Sequence, residues 1–258
     1  MALSSRTAVR PPRPTIDLEV VGTERLSPYL VRVVLGGEGF AAFEDRPETD
    51  KYVKLKFTTP SPESLPVTRT YTVRSVDHEA RTLAIDFVVH GDEGLAGPWA
   101  ARARPGDRLS LMGPGGGYAP DATADAHVLA GDLSALPAIS AALEALPADA
   151  VGHAIIEVDS DAAILPLHAP DGVRIEWAID PDHAIDALAA VLRQLDWPEG
   201  DVQVFAHGER ESMKAIRAVL FDERGLDRAR VSLSGYWARG RTEDRFQLEK
   251  REPIGRIL

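Results

Sequence analysis

Short apolar runs of strand character recur before about residue 121, and in one of them apolar and polar positions alternate clearly with a period of two. Leu83, Ile85, Phe87 and Val89 share one face, with Asp86 and His90 on the other; this is the pattern of a half-buried β-strand. Similar runs occur at 16–21, 29–35, 52–57, 69–76, 82–89 and 108–112, most of them separated by Gly, Pro or Asp. Pro105-Gly106-Asp107 is a turn signal, and 95–102 is the one helical stretch. Short strands at this density predict a six-stranded antiparallel β-barrel.

Beyond residue 125 the period changes. Apolar runs at 127–130, 154–158, 173–177, 202–206 and 231–233 alternate with helical patterns at 134–146, 183–195 and 211–224. Pro137 falls in the first turn of its helix, where proline is tolerated, and Gly225 closes the last one. The Ala-rich composition would also suit a helical bundle, but the short β-branched runs oppose that. The alternation predicts a Rossmann-like parallel α/β unit with helices on both faces. The expected organisation is a flexible tail over 1–14, the barrel over 15–122, the α/β domain over 123–240 and a C-terminal tail over 241–258. In that last tail, charged and apolar residues alternate so that it can fold back on the body.

Composition narrows the chemistry. A formal charge of −11 argues against a nucleic-acid surface. No apolar run approaches the roughly 20 residues of a membrane span. The Arg- and Pro-rich start (Arg6, Arg10, Pro11, Pro12, Arg13, Pro14) has no apolar stretch of the secretory kind. A cytoplasmic location and a monomer are the expectations. With no cysteine, thiolate catalysis, Cys-ligated zinc and iron–sulfur clusters are excluded. The seven histidines are scattered without a metal-ligand spacing, so no protein-bound metal is expected. Redox chemistry, if present, belongs to an organic cofactor or to the substrate.

One set of residues asks for such a cofactor. Arg69-Thr70-Tyr71-Thr72 supplies a cation, a flat ring and hydroxyls. It is followed by Asp86-Phe87-Val88-Val89-His90-Gly91 and by Gly94-Leu95-Ala96-Gly97-Pro98-Trp99, a small-residue turn opening a helix. A flavin dinucleotide needs positive charge and free N–H groups for its pyrophosphate and an apolar face for its ring. A plain strand, loop and helix with an exposed Arg would read the same way.

Together with Gly113-Pro114, Ala130-Gly131-Asp132, Ala135-Leu136-Pro137-Ala138, Gly208-Glu209 and Ser234-Gly235-Tyr236-Trp237, these segments resemble the siderophore-interacting, flavin-dependent ferric-siderophore reductases. These form a branch of the ferredoxin-reductase-like superfamily, and the resemblance runs from about Asp50 to Gly240. It implies FAD, with Arg69 on the pyrophosphate or ribityl chain, Tyr71 against the isoalloxazine and Thr72 near N5. It places His90 and Gly91 toward the adenosine and the backbone of Gly94, Leu95, Ala96 and Gly97 at the phosphates. Thr70, Asp86, Val88 and Trp99 join the same set. It further implies an electron relay from NAD(P)H through FAD to chelated Fe(III), releasing Fe(II), with no catalytic acid, base or nucleophile from the protein. The rival readings are a general NAD(P)H:flavin oxidoreductase serving another acceptor, a ferredoxin among them, a non-catalytic flavin or siderophore carrier, and a structural or protein-interaction domain that needs no flavin. Three departures from the family pattern stand out. Gly97 replaces a frequent Ser or Thr, Gly115-Gly116-Gly117 replaces a run with an Arg, and Leu133 replaces an acid.

For NAD(P)H the candidates are Gly131, Asp132, Ser134, Ala135, Pro137, Glu157, Gly208 and Glu209. There is no GxGxxG, so Asp132 and Ser134 read equally as helix caps, as does Glu209. Glu157 and Asp159 end a strand where acids bind ribose hydroxyls and repel a 2′-phosphate, a lean toward NADH. Tyr236-Trp237 is either an aromatic cover for the flavin or core packing. For an anionic ferric siderophore the candidate rim is Lys54, Lys56, Arg239, Arg241, Arg245 and Lys250; a solvated charged surface is the alternative.

Overall fold

The computed structural model describes residues 14–58, 66–90 and 94–258. Its first half is a seven-stranded antiparallel sheet in the order β4-β3-β7-β1-β2-β6-β5. The strands are β1 (Ile16–Ser27), β2 (Leu30–Gly36), β3 (Tyr52–Phe57), β4 (Val67–Thr72), β5 (Ser75–Asp77), β6 (Thr82–Val88) and β7 (Arg108–Gly115), with helix α1 (Ala96–Arg102) before β7. Alternation dictates which face is buried: Ile16, Leu18 and Val20 enter the core while Asp17 and Glu19 face water. The exception is β6, buried on both faces, because Asp86 is paired by Arg32 of β2 directly opposite it.

Among the described residues there are seven strands where six are expected, because the expected strand 69–76 is two, and the hydrogen-bonded ladder is not closed between its edge strands. β4 and β5 stand at opposite edges, yet only Val73 and Arg74 separate them. The Val73 N–H donates to the Lys51 carbonyl beside β3, and the Arg74 N–H donates to the Ala84 carbonyl of β6. The backbone thus passes from one edge to the other, and the sheet curls around a core that includes Leu55, Ile85, Phe87 and Leu111.

The second half is a five-stranded parallel sheet in the order β10-β9-β8-β11-β12. Its strands are β8 (Ala126–Gly131), β9 (Val151–Val158), β10 (Gly172–Ile179), β11 (Val202–Glu209) and β12 (Val231–Trp237). The order reverses between β8 and β11, where ligands of such sheets bind. Helix α2 (Leu136–Ala145) covers one face together with Leu30 and Val88 of the first sheet; α3 (Ala187–Gln194) and α4 (Arg210–Arg217) cover the other. The expected helix 211–224 continues past α4 as a π-helical turn, Ala218–Glu223, and the expected helix 183–195 is regular only in α3. Segment 241–258 carries helix α5 (Glu243–Glu249), which buries Phe246 and Glu249. Among the described residues no helix is long and apolar enough to cross a membrane.

Contacts between the sheets are direct. Tyr118 packs on Phe205 at 4.8 Å, the Tyr29 hydroxyl meets Ser160 Oγ at 3.2 Å, and Arg74 pairs with Glu144 of α2.

Candidate functional site

A cleft of about 890 Å³ opens along this seam. Its first wall is Lys54 of β3, the run Arg69, Thr70, Tyr71 and Thr72 of β4, and Asp86, Val88 and His90 from β6 onward. Tyr71 is set by an aromatic stack. Its ring lies 4.5 Å from Phe87, which contacts Trp99 of α1 at 5.7 Å, and Trp99 meets Phe57 edge-on at 5.6 Å. Trp99 therefore acts at one remove, backing the platform from inside the barrel. Burial pushes the Tyr71 hydroxyl above its ordinary range, Glu243 adding and Arg69 opposing.

Arg69 donates to the Thr68 carbonyl (2.8 Å) and to Asp244 Oδ1 of α5 (3.3 Å). Asp244 is well exposed, so this pairing is weak and exchangeable. Asp86 has both oxygens on Arg32, at 2.7 and 2.8 Å, and so acts chiefly as a tie between β2 and β6. Gly94, Leu95, Ala96 and Gly97 are not among the residues that line the cleft, and Gly91 lies outside the described residues. A Cβ on Gly97 would stand 3.0 Å from the Val88 carbonyl; its glycine lets α1 approach β6. Among the described residues no side chain caps α1.

The opposite wall comes from the carboxyl ends of the parallel strands. Asp132 has its whole acceptor capacity engaged: Oδ1 accepts from the Ser134 N–H and hydroxyl, Oδ2 from the Glu209 N–H and Trp237 Nε1, both at 2.8 Å. Burial still pushes its carboxyl upward. Gly208 must be glycine, since a Cβ there would lie 2.8 Å from Asp132 Oδ2. Glu209 is the N-cap of α4, accepting from the Glu211 and Ser212 N–H groups and, through Oε1, from Arg239 N–H at 3.0 Å. It stands outside the cleft lining, as do Gly131 and Ala135; Ser134 and Pro137 line it.

Glu157, at the end of β9, faces the cleft with Oε2 unpartnered. Burial, with Asp132 and Asp180 nearby, pushes its carboxyl up to about 7. His183 stands before it, Nδ1 3.7 Å from Glu157 Oε1 and Nε2 3.3 Å from Asp159 Oδ1. Its φ of +50° is strained for a non-glycine residue, and Arg239 holds its carbonyl at 2.7 Å. His207 also lines the cleft with its Nδ1 unpartnered, and Tyr236 bridges toward Thr72. His183 and His207 are the site residues that sequence reasoning missed. A period-two reading of β11 puts His207 on the face of Phe205, which was the available signal.

The expected basic rim divides. Lys54, Arg241 and Lys250 line the cleft. Lys250 sits over the Phe246 ring at 4.7 Å; burial lowers its pKa, Lys54 adding and Glu243 opposing. Lys56 turns to Thr15 at 2.7 Å. Arg245 and Arg241 converge with Arg210 on buried Glu249, at 2.9, 2.9 and 2.6 Å, holding that carboxyl down at about 2. Arg245 therefore organises the C-terminal segment, and Arg239 ties Glu209 to the His183 carbonyl; neither lines the cleft. No cluster of His, Cys, Asp or Glu suited to a metal exists among the described residues.

A flavin dinucleotide fits these observations. The volume is in the range of cofactor pockets, the Tyr71 platform is backed by two aromatic rings, and two buried polar atoms on the facing wall lack partners.

Comparison with known proteins agrees. Residues 124–240 match the family described as siderophore-interacting protein, and residues 19–64 and 56–118 match the siderophore-interacting FAD-binding domain. The ferric vibriobactin reductase of Vibrio cholerae is 36% identical over 90% of this chain and 93% of its own. The NADPH-dependent ferric-chelate reductase of Escherichia coli is 32% identical over 86% and 92%. The crystal structure of a siderophore utilization protein from T. fusca superposes with a TM-score of 0.81 at 40% identity, covering 90% of this chain and 95% of that one.

Proposed function

Since the chain belongs to the siderophore-interacting protein family, we propose that it is an FAD-dependent reductase of ferric siderophores that draws its electrons from NAD(P)H. The observation that carries this reading is the seam cleft, where an aromatic platform, with Lys54, Lys250 and Arg241 beside it, faces the carboxyl ends of a parallel sheet. The names of the Vibrio and Escherichia relatives support ferric chelates as the acceptor class.

When bound, FAD supplies the passage from a two-electron donor to a one-electron ferric acceptor. This chain's residues bind, orient and exclude water. Tyr71 offers its ring face, and Arg69 is a pyrophosphate partner once it leaves Asp244. Thr72 and Tyr236 close the seam behind the platform. Lys54, Lys250 and Arg241 give an anionic chelate a local positive field on an acidic molecule. Glu157 and Asp159 favour an unphosphorylated ribose, which supports NADH as donor.

The test is an anaerobic titration of the FAD-loaded protein. NADH, and NADPH less efficiently, should bleach the flavin absorbance, and an added ferric siderophore should restore it. Bleaching by neither nucleotide, or no recovery with any ferric chelate, would overturn the proposal.

A further inference from the structure

We propose that strand β10 is a self-pairing edge, to which a second copy of this chain adds antiparallel about a two-fold axis through Ile175. This surface is independent of the reductase reading. β10 is the outer strand of the parallel sheet and pairs with β9 alone. The Asp180 N–H donates to the Val158 carbonyl of β9, and the register between the two strands is unbroken. Gly172, Arg174, Glu176 and Ala178 therefore turn their backbone groups toward β9, while Val173, Ile175, Trp177 and Ile179 turn theirs outward. The Val173 N–H is used at home, on the Pro170 carbonyl. The outward groups of Ile175, Trp177 and Ile179 have no partner among the described residues.

Edges that stay single are ordinarily protected by proline, lysine, a bulge or shortness. β10 runs for eight residues with none of these. It carries charges that complement their own image instead. Arg174 and Glu176 are exposed on one face, and neither makes a hydrogen bond or ion pair among the described residues. A two-fold axis at Ile175 sets Arg174 of each copy opposite Glu176 of the other. These are non-hydrogen-bonded positions, where facing Cα atoms stand about 4.5 Å apart and side chains come closest. On the other face half-buried Trp177 meets Val173 of the second copy, an aromatic and β-branched pair. Ile175 exchanges backbone hydrogen bonds with its counterpart in both directions, and each Trp177 N–H reaches a Val173 carbonyl.

The charges also select the register. A slip of two residues either way sets Arg174 against Arg174 or Glu176 against Glu176. A slip of four sets Arg174 opposite Asp180, whose oxygens already accept from the Asp182 and Ala184 N–H groups. Antiparallel addition sends the two clefts to opposite ends of the joined sheet, since each lies at the carboxyl ends of its own strands.

An interface of one strand per copy belongs to the weak class, so the monomer expected from sequence is the dilute state. Sedimentation velocity of the full chain between about 5 and 500 µM should show monomer passing to dimer. Arg174→Glu and Glu176→Arg should each weaken the dimer roughly tenfold by facing like charges, and the two together should restore it. Amide exchange of the wild-type protein needs no substitution: Ile175 and Trp177 should gain protection as concentration rises, while Glu176 and Ala178, bonded to β9, stay protected throughout. A chain that remains monomeric to the top of that range would overturn the inference. So would a dimer indifferent to either single charge change, a double variant that fails to restore it, or concentration-independent exchange at Ile175 and Trp177.

Discussion

Tyr71 owes its place to Phe87 beneath it and Trp99 beneath that, so the platform is held by the barrel core. Arg69, by contrast, is held only by a local carbonyl and an exposed carboxylate. Arg69→Ala should therefore leave thermal stability nearly unchanged and cost about 2 kcal/mol of FAD affinity, the scale of a charge-assisted hydrogen bond. Fluorescence titration of FAD checks it, and unchanged affinity would remove Arg69 from the site. Glu157 makes a pH prediction. Its carboxyl ionises near 4.5 in the unfolded chain but only near 7 in the fold, so its share of stability is full below 4.5 and is lost as pH rises through 7. Glu157→Gln abolishes that titration, so urea melts at about pH 5 and about pH 8 should show the variant gaining on wild type at the higher value. A pH-independent difference would contradict the assignment. Arg69 and Tyr71 were legible in sequence because they sit in an ordered run of cation, ring and hydroxyl. His207 and His183 were not, because a lone histidine has no spacing and its environment is built by distant strands.

Among the elements, alternation located nearly every strand, since a buried face must repeat every two residues. It could not show the break at Val73 and Arg74, where the side-chain pattern continues while the backbone changes hydrogen-bond partners. Helix α5 was read as tail because its charged residues dominate. Its burial depends on Arg210, which meets Glu249 only in the fold. Glu209 lies at a similar boundary, with capping and cofactor roles equally readable from sequence. In the fold it caps α4 and holds the Arg239 amide, so Glu209→Ala leaves three N–H groups without their acceptor. The variant should lose about 2 kcal/mol in chemical denaturation. A loss near zero would mean that the cap is dispensable.

At the scale of the whole molecule, an acidic chain presents a basic corner where the two sheets meet. Attraction of an anionic chelate to Lys54, Lys250 and Arg241 should be screened by salt, with KM rising severalfold between about 0.05 and 0.5 M ionic strength. Lys54→Glu should raise KM further at low salt. A KM indifferent to both would place the acceptor elsewhere. The central claim is that the seam holds a flavin. Its most direct measurement is a crystal structure of the protein grown with excess FAD. Density for the isoalloxazine against the Tyr71 ring, with the pyrophosphate at Arg69 in place of Asp244, is the predicted result. A cleft left empty under saturating FAD, or a flavin bound away from Tyr71, would contradict the account.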